Sequence, residues 1–223
     1  MNASAAAVVS IVPHVFREGA EVAKAPKTEL IGRDAELKRL STFVDGSPRG
    51  PAFVLVEGEA GIGKSTLWEW AVGQAREHGR LVLTSRPNSN DIALAYAALG
   101  DLLDETLDEA LEQLPAPQRR ALGAALLLTD ADGAAPDPRA TGLSVLGVLR
   151  ALSAAAPVLV AVDDAQWVDR SSATVLEFAL RRLRSEPVAV LAARRAGLAG
   201  GLGLPDAELV TVGRMSLGAH TGS

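Results

Sequence analysis

The chain has 223 residues, 48% of them hydrophobic and 22% charged, and carries a formal net charge of −5. This length and balance are typical of one α/β domain with a substantial core, and the acidic charge argues against broad binding of nucleic acids. The chain has no cysteine, which excludes a disulfide framework, a thiolate metal site and a cysteine nucleophile, and favours a cytoplasmic location.

The N-terminal region is apolar but lacks the other marks of a secretory signal. No basic residue precedes the apolar residues 5–15, and Pro13 interrupts them. No later apolar run reaches the length of a membrane span without a charge or a helix breaker, so we expect no membrane association. We predict a loosely ordered leader over residues 1–28, one folded domain over residues 29–217 and a tail over residues 218–223.

A helix and a strand open the folded domain. Leu37, Leu40 and Val44 recur on one face of a helix whose N-cap is predicted to be Asp34. A run rich in Gly and Pro ends this helix. The apolar residues 52–56 then predict a buried strand.

Residues 58–66 have the pattern G-x-x-x-x-G-K-[ST] followed by Thr, between that strand and a predicted helix over residues 64–78. In this context the pattern is typical of a loop that binds the phosphates of a nucleoside triphosphate. Its glycines let several backbone N–H groups converge on one anion, at the positive end of the following helix. Lys64 can reach the outer phosphates, and the Ser65 hydroxyl can ligate Mg²⁺. The predicted nucleotide-contacting residues of the loop are Gly58, Glu59, Ala60, Gly61, Ile62, Gly63, Lys64, Ser65 and Thr66.

The rest of the chain alternates strands with helices. Further strands are predicted over residues 81–84, 158–162, 188–192 and 208–212, and further helices over residues 94–107, 117–128, 140–155 and 171–184. This alternation predicts a three-layer α/β fold with a five-stranded parallel sheet and right-handed crossovers. In the usual order for phosphate-loop folds, the strands lie as 5-1-4-3-2, with a helical insertion between strands 2 and 3.

Two acids, Asp163 and Asp164, follow the uninterrupted apolar run of residues 158–162. Because the carboxyl ends of parallel strands meet at one edge of the sheet, we expect these acids beside the phosphate loop. Asp163 is predicted to hold Mg²⁺ from the side opposite Ser65, and Asp164 to orient or deprotonate the attacking water. A pair of solvated acids at a strand end is the alternative interpretation.

Two arginines, Arg194 and Arg195, follow the fourth predicted strand. Since this strand is expected beside the first, an arginine here can sense or stabilise the γ-phosphate of the nucleotide. The alternative is two surface arginines with no role in the site.

Three segments of the sequence together resemble one family. They are Leu30-Ile31-Gly32-Arg33-Asp34-Ala35-Glu36-Leu37, Gly58-Glu59-Ala60-Gly61-Ile62-Gly63-Lys64-Ser65 and Val162-Asp163-Asp164-Ala165-Gln166-Trp167-Val168-Asp169. They are similar to the ATPase module of the large ATP-binding LuxR-type transcriptional regulators, which is related to the maltose regulator and to the origin-recognition-like AAA group within the STAND class of signalling ATPases. The resemblance covers residues 30–217.

This resemblance implies ATP and Mg²⁺ as ligands, with the roles given above for the phosphate loop and the two acids. It also implies nucleotide contacts from the opening motif, Gly32 and Arg33, and a γ-phosphate sensor at Arg194 or Arg195. Gln166 stands where many relatives carry His.

The function implied by the resemblance is a regulatory switch, an ATP-binding and slowly hydrolysing core that self-associates or meets a partner regulator chain. Relatives continue beyond residues 215–219 into a helical lid, a winged-helix domain and a helix-turn-helix. We expect none of these in this sequence, so direct DNA binding is not predicted. The alternatives are an AAA-type DNA-associated ATPase, another phosphate-loop enzyme such as a small-molecule kinase, and an inactive truncated remnant.

Overall fold

The computed structural model describes residues 30–46, 50–128, 136–198 and 200–214. Its centre is a parallel sheet in the order β2-β3-β4-β1-β5. The strands are β1 Ala52–Gly58, β2 Leu81–Ser85, β3 Val158–Val162, β4 Val188–Arg195 and β5 Glu208–Val212. The predicted fold class and the predicted order 5-1-4-3-2 are confirmed, because this is the same order read from the other edge.

Helices cover both faces of the sheet. They are α1 Asp34–Asp45, α2 Lys64–Glu77, α3 Ala97–Leu103, α4 Leu107–Gln113, α5 Ala116–Ala125, α6 Pro138–Ala155 and α7 Arg170–Leu180. Helices α3 to α6 lie between β2 and β3 in sequence, as predicted for the helical insertion. In the part of the chain that the structure describes, no helix has both the length and the apolar character needed to cross a membrane.

The strand β3 explains why the fold has three layers. All five of its residues are buried, and successive side chains of a strand point to opposite faces. Val158, Val160 and Val162 therefore belong to the core under α3–α7. Leu159 and Ala161 belong to the core under α1 and α2. A continuous apolar run is thus what a central parallel strand needs.

The predicted single helix over residues 94–107 is wrong. Tyr96 has a left-handed backbone with φ 62°, and two short helices, α3 and α4, follow with a 3₁₀ turn, Asp104–Thr106, between them. The cause is a tertiary contact. The buried carboxylate of Asp169 accepts hydrogen bonds from the backbone N–H groups of Tyr96 and Ala98, at 2.9 and 3.2 Å, and so fixes the start of α3.

Helix and strand ends differ from the prediction elsewhere. Asp34 is the first helical residue of α1 rather than its N-cap, and Arg33 occupies the cap position without a side-chain hydrogen bond to the helix. Strand β4 is three residues longer than predicted, because its last two residues still pair with Glu57 and Gly58 of β1. Helix α6 begins two residues early, with the Asp137 side chain as its N-cap.

Helix α7 also ends before residue 184, at Leu180. The predicted leader over residues 1–28, the tail over residues 218–223 and most of the predicted loop over residues 130–138 lie outside the described residues.

Replacing Asp169 should destabilise the fold much more than replacing an exposed cap. Its carboxylate accepts from Tyr96 and Ala98 at the start of α3 and also from Ser172 at 2.9 Å in α7. Asp169→Ala leaves these buried donors without an acceptor, so we expect the free energy of unfolding to fall by about 2–4 kcal/mol. The exposed cap Asp137 is the control, and Asp137→Ala should cost about 1 kcal/mol. Urea denaturation monitored by circular dichroism measures both free energies of unfolding. Equal losses in the two variants would contradict the role of Asp169 as the buried acceptor shared by α3 and α7.

Candidate functional site

The phosphate loop connects β1 directly to α2. Gly63 occupies the N-cap position of α2 with φ 99°, and Gly61 has φ 71°. A Cβ atom added at either glycine would meet nothing within 4 Å. The loop therefore needs these glycines for their backbone conformation and not for lack of space. Gly58 differs, because a Cβ there would lie 2.7 Å from the carbonyl oxygen of Val212.

Lys64 is the first residue of α2 and is 7% exposed. Its Nζ donates a hydrogen bond to the carbonyl oxygen of Glu59 at 2.8 Å, within the same loop. Burial lowers the pKa of Lys64, the carboxylates of Asp164 and Asp163 raise it, and the charge of Arg195 lowers it further. Lys64 follows the loop after β1, the two acids follow β3 and Arg195 ends β4. Because β4 pairs in parallel with both other strands, all four residues lie at one edge of the sheet.

Asp163 is 6% exposed at the end of β3, and its backbone N–H donates to the carbonyl oxygen of Ser85 at 3.0 Å. Burial raises the pKa of the Asp163 carboxyl, and a hydrogen bond from the Ser65 side chain opposes this effect. Asp164 has a left-handed backbone with φ 49°. Its Oδ1 accepts a hydrogen bond from Nε2 of Gln166 at 2.7 Å.

The structure distinguishes the two arginines. Arg194 is half-buried and forms an ion pair with Glu57 of the neighbouring strand, with Nε 2.9 Å from Oε1. Arg195 is exposed, and its positive charge lowers the pKa of Lys64. Its backbone N–H donates to Oε1 of Gln166 at 3.2 Å.

The opening motif contacts the phosphate loop through the protein interior. Arg33 is 5% exposed, and its guanidinium donates to the carbonyl oxygens of Ile62 at 2.8 Å and Gly213 at 2.7 Å. It also contacts Glu36 at 3.1 Å. Gly32 is exposed, with φ 77°. The arginine thus links the loop to the residue after β5.

Sequence reasoning missed three contributors to this edge of the sheet. Gln166 contacts both Asp164 and the backbone of Arg195, although it follows the acids by only two residues. Arg86 lies over the buried ring of Trp68 at 4.7 Å and lowers the pKa of Asp163. Asp169 is the last residue of the segment Val162–Asp169, and its carboxylate accepts hydrogen bonds at the starts of α3 and α7. Gln166 and Asp169 lie in the segment Val162–Asp169 that carries the family resemblance, but only Asp169 is specified by the motif D-D-A-x-W-x-D, and no local pattern indicates Arg86.

A family model described as an AAA ATPase domain matches residues 29–191. The chain belongs to this family. The matched residues include the opening motif, the phosphate loop and the two acids, while Arg194 and Arg195 lie just beyond them. The AAA ATPase domain assignment makes ATP hydrolysis the general kind of activity to expect of the chain. No curated protein matches it.

Solved structures of other proteins show weak similarity. AMPPCP-bound DnaA from Aquifex aeolicus is 16% identical, with 82% of this chain and 47% of that chain covered and a TM-score of 0.42. The ORC2 protein from Aeropyrum pernix, in ADPNP–ADP complexes, is 18% identical, with 81% and 44% covered and a TM-score of 0.43. The chain spans less than half the length of either protein.

The conformation of Gly63 can be tested by its effect on stability. Gly63→Ala forces a side chain into a left-handed backbone, so we expect the free energy of unfolding to fall by about 1–3 kcal/mol. Gly73 lies in the middle of α2, where an added Cβ also meets nothing within 4 Å. Gly73→Ala should therefore raise stability by about 0.5–1 kcal/mol. We expect urea denaturation to show changes of opposite sign in the free energy of unfolding for the two variants. A stabilising Gly63→Ala would contradict the left-handed conformation of Gly63.

Proposed function

We propose that this AAA ATPase domain binds ATP with Mg²⁺, hydrolyses it slowly, and serves as the nucleotide switch of a signalling or transcription-regulatory protein of the STAND class. The observation that carries the proposal is the shared edge of the sheet. There the buried Lys64 and the acids Asp163 and Asp164 act on one another, beside a glycine loop at a helix N-terminus.

The open loop is the proposed phosphate site. The backbone N–H groups near Gly61 and Gly63 and the N-terminus of α2 favour an anion. Lys64 now donates to the Glu59 carbonyl, and a phosphate oxygen would replace this partner. A charged partner forms the stronger hydrogen bond, so the exchange favours nucleotide binding.

The ligands for a divalent cation fit the preference of Mg²⁺. The Ser65 hydroxyl at the start of α2 and the Asp163 carboxylate just after β3 offer oxygen ligands, and the Ser65 side chain lowers the pKa of Asp163. We propose that these two residues hold Mg²⁺. When bound, the cation neutralises charge on the β- and γ-phosphates.

The remaining residues take roles that follow from their contacts. Asp164 orients or deprotonates the attacking water. Arg195 is the better candidate for the γ-phosphate sensor, because its charge reaches Lys64, whereas Arg194 is paired with Glu57. Arg33 holds the phosphate loop by the Ile62 carbonyl.

The regulatory role rests on the resemblance to the LuxR-type regulators and on one contact. Arg33 joins the carbonyl of Ile62, in the phosphate loop, to that of Gly213, after β5. A change in the loop on nucleotide binding would thus be passed to the segment that follows the last strand. Residues 215–223, where the resembling regulators continue, lie outside the described part of the chain.

Loss of Lys64 tests the nucleotide site directly. Lys64→Ala should weaken ATP binding about tenfold or more, because a charge-assisted hydrogen bond to phosphate contributes about 1.5–3 kcal/mol. The matched control is Lys38→Ala, at an exposed position of α1, which should leave affinity unchanged. Isothermal calorimetry of both variants and the parent, with and without Mg²⁺, measures the effect. Equal ATP affinity in Lys64→Ala and the parent would remove the site assignment.

Substitutions of the two acids should affect ATP binding and ATP hydrolysis differently. Asp163→Asn should weaken the Mg²⁺-dependent part of ATP binding, since it removes a charged cation ligand. Asp164→Asn should leave binding largely intact and lower kcat. Calorimetry together with phosphate release measures both effects. An Asp164→Asn variant that hydrolyses ATP at the parental rate would show that another group positions the water.

A further inference from the structure

Gln166 uses both ends of its side-chain amide at the candidate site. It is 7% exposed. Its Nε2 donates to Oδ1 of Asp164 at 2.7 Å, and its Oε1 accepts from the backbone N–H of Arg195 at 3.2 Å. A backbone N–H can only donate and an ionised carboxylate can only accept, so these partners leave one orientation for the amide.

We propose that Gln166 is a positioning residue for Asp164 and couples that acid to the end of β4. The proposal rests on the proposed function, in which Asp164 orients the attacking water. Gln166 fixes one carboxylate oxygen. Among the described residues no hydrogen bond reaches the other oxygen, Oδ2, which leaves it free to accept from water. Holding the acid in this way reduces the rotamer freedom that must be lost in the transition state.

The end of β4 is itself joined to the phosphate loop. Arg195 pairs with Gly58, the last residue of β1, and the backbone N–H of Ala196 donates to the Gly58 carbonyl at 3.0 Å. A shift of the loop on phosphate binding would therefore move the Arg195 N–H that holds Gln166. Through the amide of Gln166, the same shift reaches the carboxylate of Asp164.

The turn that carries Gln166 is held on its other side as well. The backbone N–H of Leu202 donates to the Ala165 carbonyl at 3.2 Å. Gly201 packs so closely against this turn that an added Cβ would lie only 1.9 Å from the same carbonyl oxygen. Gln166 is thus fixed by its backbone as well as by its side chain, which suits a residue that transmits small displacements.

Gln166→Glu tests the positioning role. It keeps the size of the side chain and the acceptor for the Arg195 N–H, but it replaces the donor to Asp164 with a carboxylate that repels it. We expect kcat for ATP to fall about tenfold or more, with the Kd for ATP changed less than about threefold. Gln166→His keeps one donor and one acceptor, and should retain most of the parental kcat. Gln113→Glu, at an exposed position of α4, is the matched control and should behave as the parent.

Three results of this experiment would overturn the proposal. They are a parental kcat in Gln166→Glu, a Kd that rises by the same factor as kcat falls, and a Gln166→His variant as slow as Gln166→Glu. Failure of the parent chain to hydrolyse ATP would overturn the proposed function, whereas any of the three results above, obtained with a parent that hydrolyses ATP, would overturn the positioning role alone.

The hydrogen bond between Gln166 and Asp164 can be tested without measuring ATP hydrolysis. In a ¹⁵N–¹H spectrum of the nucleotide-free chain, the side-chain amide signal of Gln166 can be assigned because it disappears in Gln166→Glu. This signal should shift in Asp164→Asn and stay in place in Asp108→Asn, a control on the exposed face of α4. An unchanged signal in Asp164→Asn would show that the hydrogen bond is absent, and would overturn the proposal whatever the ATPase rate.

Discussion

In a parallel sheet all strands end at the same edge, so the pairing of β4 with both β1 and β3 brings three strand ends together. Each strand end carries different chemistry. The glycine loop follows β1, the two acids follow β3, and β4 ends in arginines. No pair of these segments is close in sequence. The site therefore depends on strand order more than on any single motif.

Charged groups at this edge are held partly away from water before any ligand arrives. Burial lowers the pKa of Lys64 and raises that of Asp163, so both groups are disfavoured in their charged forms. In a complex with a triphosphate and Mg²⁺, each group would gain a partner of opposite charge: the phosphates for Lys64 and the cation for Asp163. The same burial that costs stability in the free chain would strengthen these contacts in the complex, because charges interact more strongly away from water.

Backbone hydrogen bonds and buried side chains join the parts of the site into one unit. Arg33 reaches the loop and the residue after β5, Gln166 reaches Asp164 and β4, and Asp169 joins α3 to α7. Each of these side chains has partners on more than one element. Substitutions at such positions should change how the site moves as well as how stable it is.

The strands, the glycine loop and the two acids after β3 could be predicted from the sequence, because apolar runs, glycine spacing and flanking elements are local patterns. The strand order is not a local pattern, and it was predicted from the usual order of phosphate-loop folds. The division of residues 94–107 between two helices and the inward orientation of Arg33 could not be predicted in this way. The same is true of the contacts of Gln166 and Arg86. All of these rest on partners that are distant in sequence, such as Asp169 for the start of α3 and Gly213 for Arg33. A local pattern contains no information about which distant donor or acceptor folding will bring within 3 Å of a given atom.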